Sequence, residues 1–183
     1  QWLRDGLKII DKAEQTEALA RQANPAHCVY LVPAFTGLGA PYWDPDARGA
    51  LLGLTRDTGV EEIVAATLQA VAYQSKDLID AMQKDADIKI QSLRVDGAMA
   101  ANNFLMEFSS NLLNIEIQRS GMNETTALGV AYLAGLHTGI YPSLENLATL
   151  WCSQQQTRPN MSAVLRQQLY AGWIEAVGRT KSH

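Results

Sequence analysis

Apolar residues recur at helical intervals in some stretches of this chain and run together or alternate in others. Trp2, Leu3, Leu7, Ile9 and Ile10 predict an amphipathic helix over residues 1–10, weakened at Gly6. A short helix is expected over 16–23, closed by Asn24-Pro25. Val29-Tyr30-Leu31-Val32 is a β-branched run, a buried strand ended by Pro33. Residues 49–55 read as another strand. Val64, Leu68, Val71, Leu78 and Met82 keep helical spacing and predict the longest helix, over 58–82. Asp57 or Thr58 would cap it, with Glu61 and Glu62 in its first turn, where carboxylates suit the helix dipole. That role accounts for the acidic pair without acid–base chemistry.

The second half repeats the alternation. Leu93 and Val95 alternate with Arg94 and Asp96, a strand that runs into the small residues Gly97 and Ala98. Asn102 or Asn103 can cap the helix that follows, over 102–113, with Phe104, Leu105, Phe108 and Leu112 on one face. A small-residue turn feeding a helix start suits phosphate or a nucleotide, although such junctions are also ordinary connections in α/β folds. Residues 115–118 alternate as a strand. The helix over 123–135 carries Gly129, Ala131, Ala134 and Gly135, which permit close approach of another backbone or a ligand. Ser143 caps a helix to about residue 151, residues 153–160 read as a polar loop, and 161–179 as a terminal helix whose polar tail needs no role beyond solvation. The fold class is α/β.

Between the first two strands, residues 33–49 hold three prolines, three glycines and the pair Tyr42-Trp43. Gly37-x-Gly39 is a poor dinucleotide fingerprint, since the third glycine is missing and Pro41 interrupts any helix there. Tyr42 and Trp43 read as anchors of the loop or part of a domain contact. The 183 residues suffice for one sizeable domain, and a 47% hydrophobic, 19% charged composition argues against disorder. The net charge of −4, with no basic run, argues against nucleic acid as a partner. No stretch is long and apolar enough to span a membrane. Cys28 and Cys152 stand in no metal spacing and fit a reducing cytoplasm better than a disulfide scaffold. His27, His137 and His183 stand in no triad or metal pattern and read as solvated. The chain opens on Gln1-Trp2-Leu3-Arg4, which already reads as the inside of a helix, so a longer protein is expected.

Four stretches together resemble the C-terminal half of the glycerol kinases, in the FGGY carbohydrate kinase family. They are Gln1-Trp2-Leu3-Arg4-Asp5; the loop from Pro33-Ala34-Phe35-Thr36 to Tyr42-Trp43-Asp44-Pro45; Gly49-Ala50-Leu51-Leu52-Gly53-Leu54 followed by Glu62-Ile63-Val64-Ala65-Ala66-Thr67-Leu68-Gln69; and Val95-Asp96-Gly97-Ala98 through Asn102-Asn103 with Thr125-Thr126-Ala127-Leu128-Gly129. The resemblance runs to about Trp173 and implies a ribonuclease H-like, actin-like ATPase fold, with residues 1–183 forming an incomplete C-terminal kinase domain that includes the polar loop and helix over 153–183.

The resemblance also implies transfer of the ATP γ-phosphoryl group to glycerol with Mg²⁺, in a cytoplasmic enzyme that is often a homo-oligomer. Asn102 is similar to the residue that contacts adenine, Gly97 and Ala98 to the turn lining the nucleotide, and Gln1 to a nucleotide-contacting glutamine. Thr125, Ala127 and Gly129 resemble the helix beside the cleft and are not expected to be ligands. The family usually has a second glycine where Ala98 stands, which puts the turn or nucleotide affinity in question. Some bacterial members bind a regulator through zinc with an acidic residue near position 165, where Leu165 cannot ligate a metal. The phosphate-binding turn, the glycerol-binding residues and the catalytic aspartate are expected upstream of Gln1, in an N-terminal domain. The chain is therefore expected to carry no catalytic or metal-binding residue and no kinase activity by itself. Two alternatives are a kinase of another polyol or sugar in the same family, and a non-catalytic nucleotide-binding module. An isolated piece of this kind should also expose a sheet edge and an apolar cleft face, inviting self-association.

Overall fold

The computed structural model describes residues 1–121, 125–151 and 153–182. Its elements in order are α1 (Gln15–Ala20), β1 (Tyr30–Val32), β2 (Ala50–Leu52), α2 (Val60–Ala86), β3 (Ser92–Val95), α3 (Asn103–Leu113), β4 (Glu116–Ser120), α4 (Thr125–His137), α5 (Leu144–Thr149), β5 (Ser153–Thr157) and α6 (Ala163–Thr180). β1 and β2 form an antiparallel pair. β3, β4 and β5 form a second sheet in that order, with β3 parallel and β5 antiparallel to β4.

The main core lies between the sheets and α2, α3 and α6. Val32, Tyr73, Leu112, Ile117, Trp173 and Val177 are buried together in it. Trp173 stacks on Tyr73 at 5.1 Å between centroids, and Phe108 meets the Tyr73 ring edge-on at 5.5 Å. Each ring removes a large apolar area from water, so this trio contributes heavily to the core's stability. A second cluster joins the opening segment to α1, α2 and α3 through Leu3, Ile10, Ala20, Val64 and Leu68, with Trp2 and Phe104 partly buried against it.

Several expectations change. Residues 1–10 do not form one helix: a single π-helical turn spans Trp2–Gly6, and Lys8 breaks the path with a left-handed backbone (φ 56°). The break aims Leu3 and Ile10 into the second cluster. On α2 the buried stripe is Val64, Leu68, Ala72, Tyr73 and Asp77, whereas Val71, Leu78 and Met82 are exposed. The stripe extends to Asp77, because the loop after β1 and α6 reach this side of α2 through polar bonds to that carboxylate as well as through the Trp173–Tyr73 stack. The N-cap of α2 is Gly59, whose N–H donates to Glu62 Oε2 at 2.8 Å. Residues 153–157 form β5 rather than a loop; its backbone pairs with the open edge of β4 and needs no apolar alternation. The last helix is not a solvated tail, since Trp173, Ala176 and Val177 are buried in the main core.

α4 also departs from expectation. Of its small residues only Gly135 is buried, where the Tyr141 ring folds back so closely that a Cβ would lie 2.5 Å from it. Gly129, Ala131 and Ala134 face solvent. The predicted start of this helix at Asn123 and Glu124 lies outside the described residues, as do Cys152 and His183. Cys28 carries a free, exposed thiol. His27 is half-buried rather than solvated, with Nδ1 3.7 Å from Glu62 Oε1. Of the aromatic pair in the long loop, Tyr42 anchors it by donating to Asp77 Oδ2 at 2.9 Å, whereas Trp43 is 76% exposed.

Candidate functional site: a clamped strand–turn–helix junction

β3 delivers the chain into a turn built by its small residues. Gly97 adopts φ 81°, a conformation that L side chains rarely take, and a Cβ there would meet nothing within 4 Å. Both Gly97 and Ala98 are exposed, so this stretch of backbone is approachable. One 3₁₀ turn follows over Ala98–Ala101, closed by Ala100 N–H to Gly97 O at 3.0 Å and by Asn102 N–H to Met99 O at 3.1 Å. Ala98 is not among the described non-glycine residues with positive φ, which are Lys8, Trp43, Asp87 and Asn114. Alanine therefore occupies this position without left-handed backbone strain.

Asn102 is the N-cap of α3: its Oδ1 accepts from Leu105 N–H at 3.0 Å. Its Nδ2 donates to Thr16 Oγ1 on α1 at 3.1 Å. An asparagine amide has two donors and two acceptor lone pairs. One of each is used within the chain, leaving one N–H and one lone pair on a half-buried side chain at the mouth of the turn.

Asn103 is tied inwards throughout. Its backbone N–H donates to Glu17 Oε2 at 2.9 Å, its Nδ2 reaches both Glu17 oxygens, and its Oδ1 accepts from Arg119 Nη2 at 3.0 Å. Burial alone would raise the Glu17 pKa, but hydrogen bonds from the Asn103 backbone, Arg21 and the Asn103 side chain outweigh it and hold the carboxyl below its ordinary value. From α4, Thr125 Oγ1 donates to Asp96 Oδ2. The turn is thus gripped by α1, β4 and α4 at once. Thr16, Glu17 and Arg119 were not singled out in the sequence, because Thr16 and Glu17 lie 86 residues from the asparagines they hold.

Gln1 is exposed at the head of the opening turn, its carbonyl accepting from Arg4 and Asp5 N–H at 2.9 and 2.8 Å. Trp2 and Leu3, just after it, share an apolar cluster with Phe104, the second residue of α3, and so link the opening turn to the junction's helix. Ala127 and Gly129 sit exposed on α4. Two concavities lie elsewhere. One of about 130 Å³ is lined by His27, Glu62, Gln69, Tyr73 and Phe104, and a shallower one of about 450 Å³ by Lys8, Ile9, Gln15 and Leu19. The junction presents an open face rather than an enclosed pocket.

The C-terminal domain of the FGGY family of carbohydrate kinases matches residues 1–138, and the chain belongs to that family. Among curated relatives it is 56% identical over 182 residues to glycerol kinase of Ectopseudomonas mendocina and 51% identical over 180 residues to glycerol kinase 2 of Thermotoga maritima. It spans 37% and 36% of those proteins while 100% and 98% of its own length is matched. Among solved structures it superposes on Plasmodium falciparum glycerol kinase with ADP at TM-score 0.88 and 35% identity, covering 98% of this chain and 36% of that one. The xylulose kinase of Lactobacillus acidophilus shares the fold at TM-score 0.84 and 23% identity, with 97% of this chain and 36% of that one covered. The fold is therefore that of the FGGY sugar kinases, of the actin-like ATPase class.

Proposed function

We propose that this chain supplies the adenine-nucleotide side of an ATP-dependent glycerol kinase, which converts ATP and glycerol to ADP and glycerol 3-phosphate. The observation that carries the reading is Asn102. Its unspent N–H and lone pair match the adjacent donor and acceptor on an adenine edge, the pairing by which asparagine reads adenine in nucleic acids. Gly97 and Ala98 would line the ribose and phosphates through exposed backbone, and Gln1 would meet the nucleotide from the opening turn. The similarity to glycerol kinases supports glycerol as the acceptor. The partners are ATP, glycerol, the N-terminal domain of the longer enzyme and further copies of the chain, in the cytoplasm. Residues 153–183 belong to this same domain, a reading supported by the burial of Trp173 beside Tyr73.

Mg²⁺ enters only as an ion accompanying ATP. Among the described residues, no group of three His, Cys, Asp or Glu side chains could hold a metal ion. The base and the phosphate-positioning groups that phosphoryl transfer requires are expected in the N-terminal domain of the longer enzyme. The isolated chain is expected to show no turnover in a coupled assay with glycerol and ATP. ADP titration tests the nucleotide site. Asn102→Ala should weaken binding by about 0.5–1.5 kcal/mol, or about 2–12-fold; affinity equal to wild type would overturn the adenine role.

A further inference from the structure

Resting on the nucleotide reading above, we propose that Glu17 and Arg119 are positioning residues, which set the turn carrying Asn102 and thereby its choice of base. Neither needs to touch a nucleotide. Both act through Asn103, the residue covalently next to Asn102.

Asn103 behaves as a peg held from two sides. Glu17, on α1, takes its backbone N–H at 2.9 Å and lies within 3.3 and 3.4 Å of its Nδ2. Arg119, on β4, donates Nη2 to its Oδ1 at 3.0 Å. Arg119 lies directly across the sheet from Val95, the last residue of β3 before the turn, so the same strand pair that fixes the turn's entry also fixes its exit. The Arg119 Nε is buried and has no hydrogen-bond partner among the described residues. A guanidinium that gives up water at Nε for one bond to Asn103 is an expensive way to solvate a surface and an effective way to orient a neighbour.

Glu17 is itself fixed. Arg21 lies 3.2 Å from Glu17 Oε1 on one side and 2.8 Å from Glu107 on the other, so the carboxylate sits in a chain of charges from α1 to α3. One residue earlier, Thr16 Oγ1 accepts from Asn102 Nδ2 and donates to Ala13 O at 2.6 Å. Consecutive residues of α1 therefore grip consecutive asparagines of the junction. This fixes the direction of Asn102's remaining donor and acceptor relative to the exposed backbone at Gly97. Groups that recognise a ligand must be held within about half an ångström by the shell behind them. With Asn103 released, Asn102 still caps α3, but its free valences no longer register with one particular base edge. A base presenting two acceptors would then be tolerated about as well as adenine.

The test is titration of the chain with ADP and GDP, alongside urea unfolding. Wild type should favour ADP. Glu17→Ala and Arg119→Ala should each weaken ADP about tenfold with little change for GDP, so that the ADP-to-GDP ratio collapses. Glu17→Gln keeps an oxygen to accept from Asn103 N–H and should stay within about threefold of wild type, a rescue that lost stability alone would not give. If Glu17→Ala does not fold, Arg119→Lys gives the same readout, since an ammonium keeps the charge but not the guanidinium geometry. Wild-type affinity and selectivity in the Glu17 and Arg119 variants, or an equal loss for both nucleotides, would overturn the positioning role while leaving the nucleotide site standing. Wild type that fails to bind ADP would overturn the nucleotide reading and this inference with it.

Discussion

The α2–α6 half of the molecule and the α4–α5 arm carry similar apolar residues and treat them in opposite ways. Around α2, Val64, Tyr73, Leu112 and Trp173 are all but inaccessible to water. Along α4 and the segment after it, Val130, Leu133, Ile140 and Leu144 are 65–73% exposed. Local helix propensity does not explain the contrast, because both regions form helices. Tertiary partners do. α2 is met by β1, α1 and α3 and by α6 through Trp173 and Tyr170, whereas the open edge of β3 and the apolar residues of α4 meet no comparable cover among the described residues. Helices draw most of their stability from packing a face, so α4 gains little from this chain alone. The junction at Gly97–Asn102 lies where the two regions meet, tied to the packed half by Thr16, Glu17 and Arg119 and to the exposed arm by the Thr125–Asp96 bond.

Asp77 offers the strongest way to break the packed half. This buried carboxylate accepts from Tyr42 and Tyr170 hydroxyls at 2.9 and 2.6 Å and from Trp173 Nε1 at 2.7 Å. Burial, followed by the interaction with Asp77, pushes the Tyr42 hydroxyl pKa up, so that phenol stays a donor across the ordinary pH range. Asp77→Ala strands three donors in the interior and frees both the long loop and α6. Urea unfolding should register a loss of about 3–5 kcal/mol, since each donor left unsatisfied in the interior costs about 1–3 kcal/mol. Asp77→Asn, which keeps two acceptor lone pairs, should lose clearly less; equal losses would mean that the charge and not the acceptor count holds the node. The next largest effect separates the two regions directly. Leu112→Ala at 0% exposure should cost about 2–5 kcal/mol, whereas Leu133→Ala at 67% exposure should stay within about 0.5 kcal/mol. A large loss at Leu133 would show that α4 is covered in solution, for which light scattering across concentration should reveal association of copies.

How much of this was legible in the sequence follows the range of the interactions. Asn102 was readable as a cap because its partner, Leu105, lies three residues on. The strand before it was readable from alternation at Leu93 and Val95. Asp77 was not, since its donors stand 35, 93 and 96 residues away and an acidic residue on a helix ordinarily faces water. β5 was hidden because Ser153-Gln154-Gln155-Gln156-Thr157 has no apolar alternation and is held by backbone pairing to β4. The turn at Gly97 and Ala98 was legible as small residues before a helix, but Glu17 and Arg119 gave no local signal. A single charge on an amphipathic helix or a short strand looks solvated until the fold brings its partner to it.

The smallest effect concerns how the packed half holds the end of the chain. Asp44, in the loop after β1, accepts from Ser182 N–H at 2.7 Å and the Ser182 hydroxyl at 2.8 Å, and from Ala47 and Asp46 N–H at 3.0 and 3.1 Å. The Ser182 backbone bond leads these causes, followed by its hydroxyl, and together with the loop amides they lower the Asp44 pKa from 3.8 to about 2. The unfolded carboxyl takes up its proton near 3.8 and the folded one only near 2. The stabilisation from this group is therefore fully present above 3.8 and is lost as pH falls through about 2. In that window the Ser182 amide should lose its downfield shift and its protection from exchange, while amides of the buried stripe around Val64 keep theirs. Asp44→Asn, which cannot ionise, should abolish the pH dependence at Ser182. A Ser182 amide that titrates unchanged in Asp44→Asn would place the acid-sensitive tether elsewhere in the packed half.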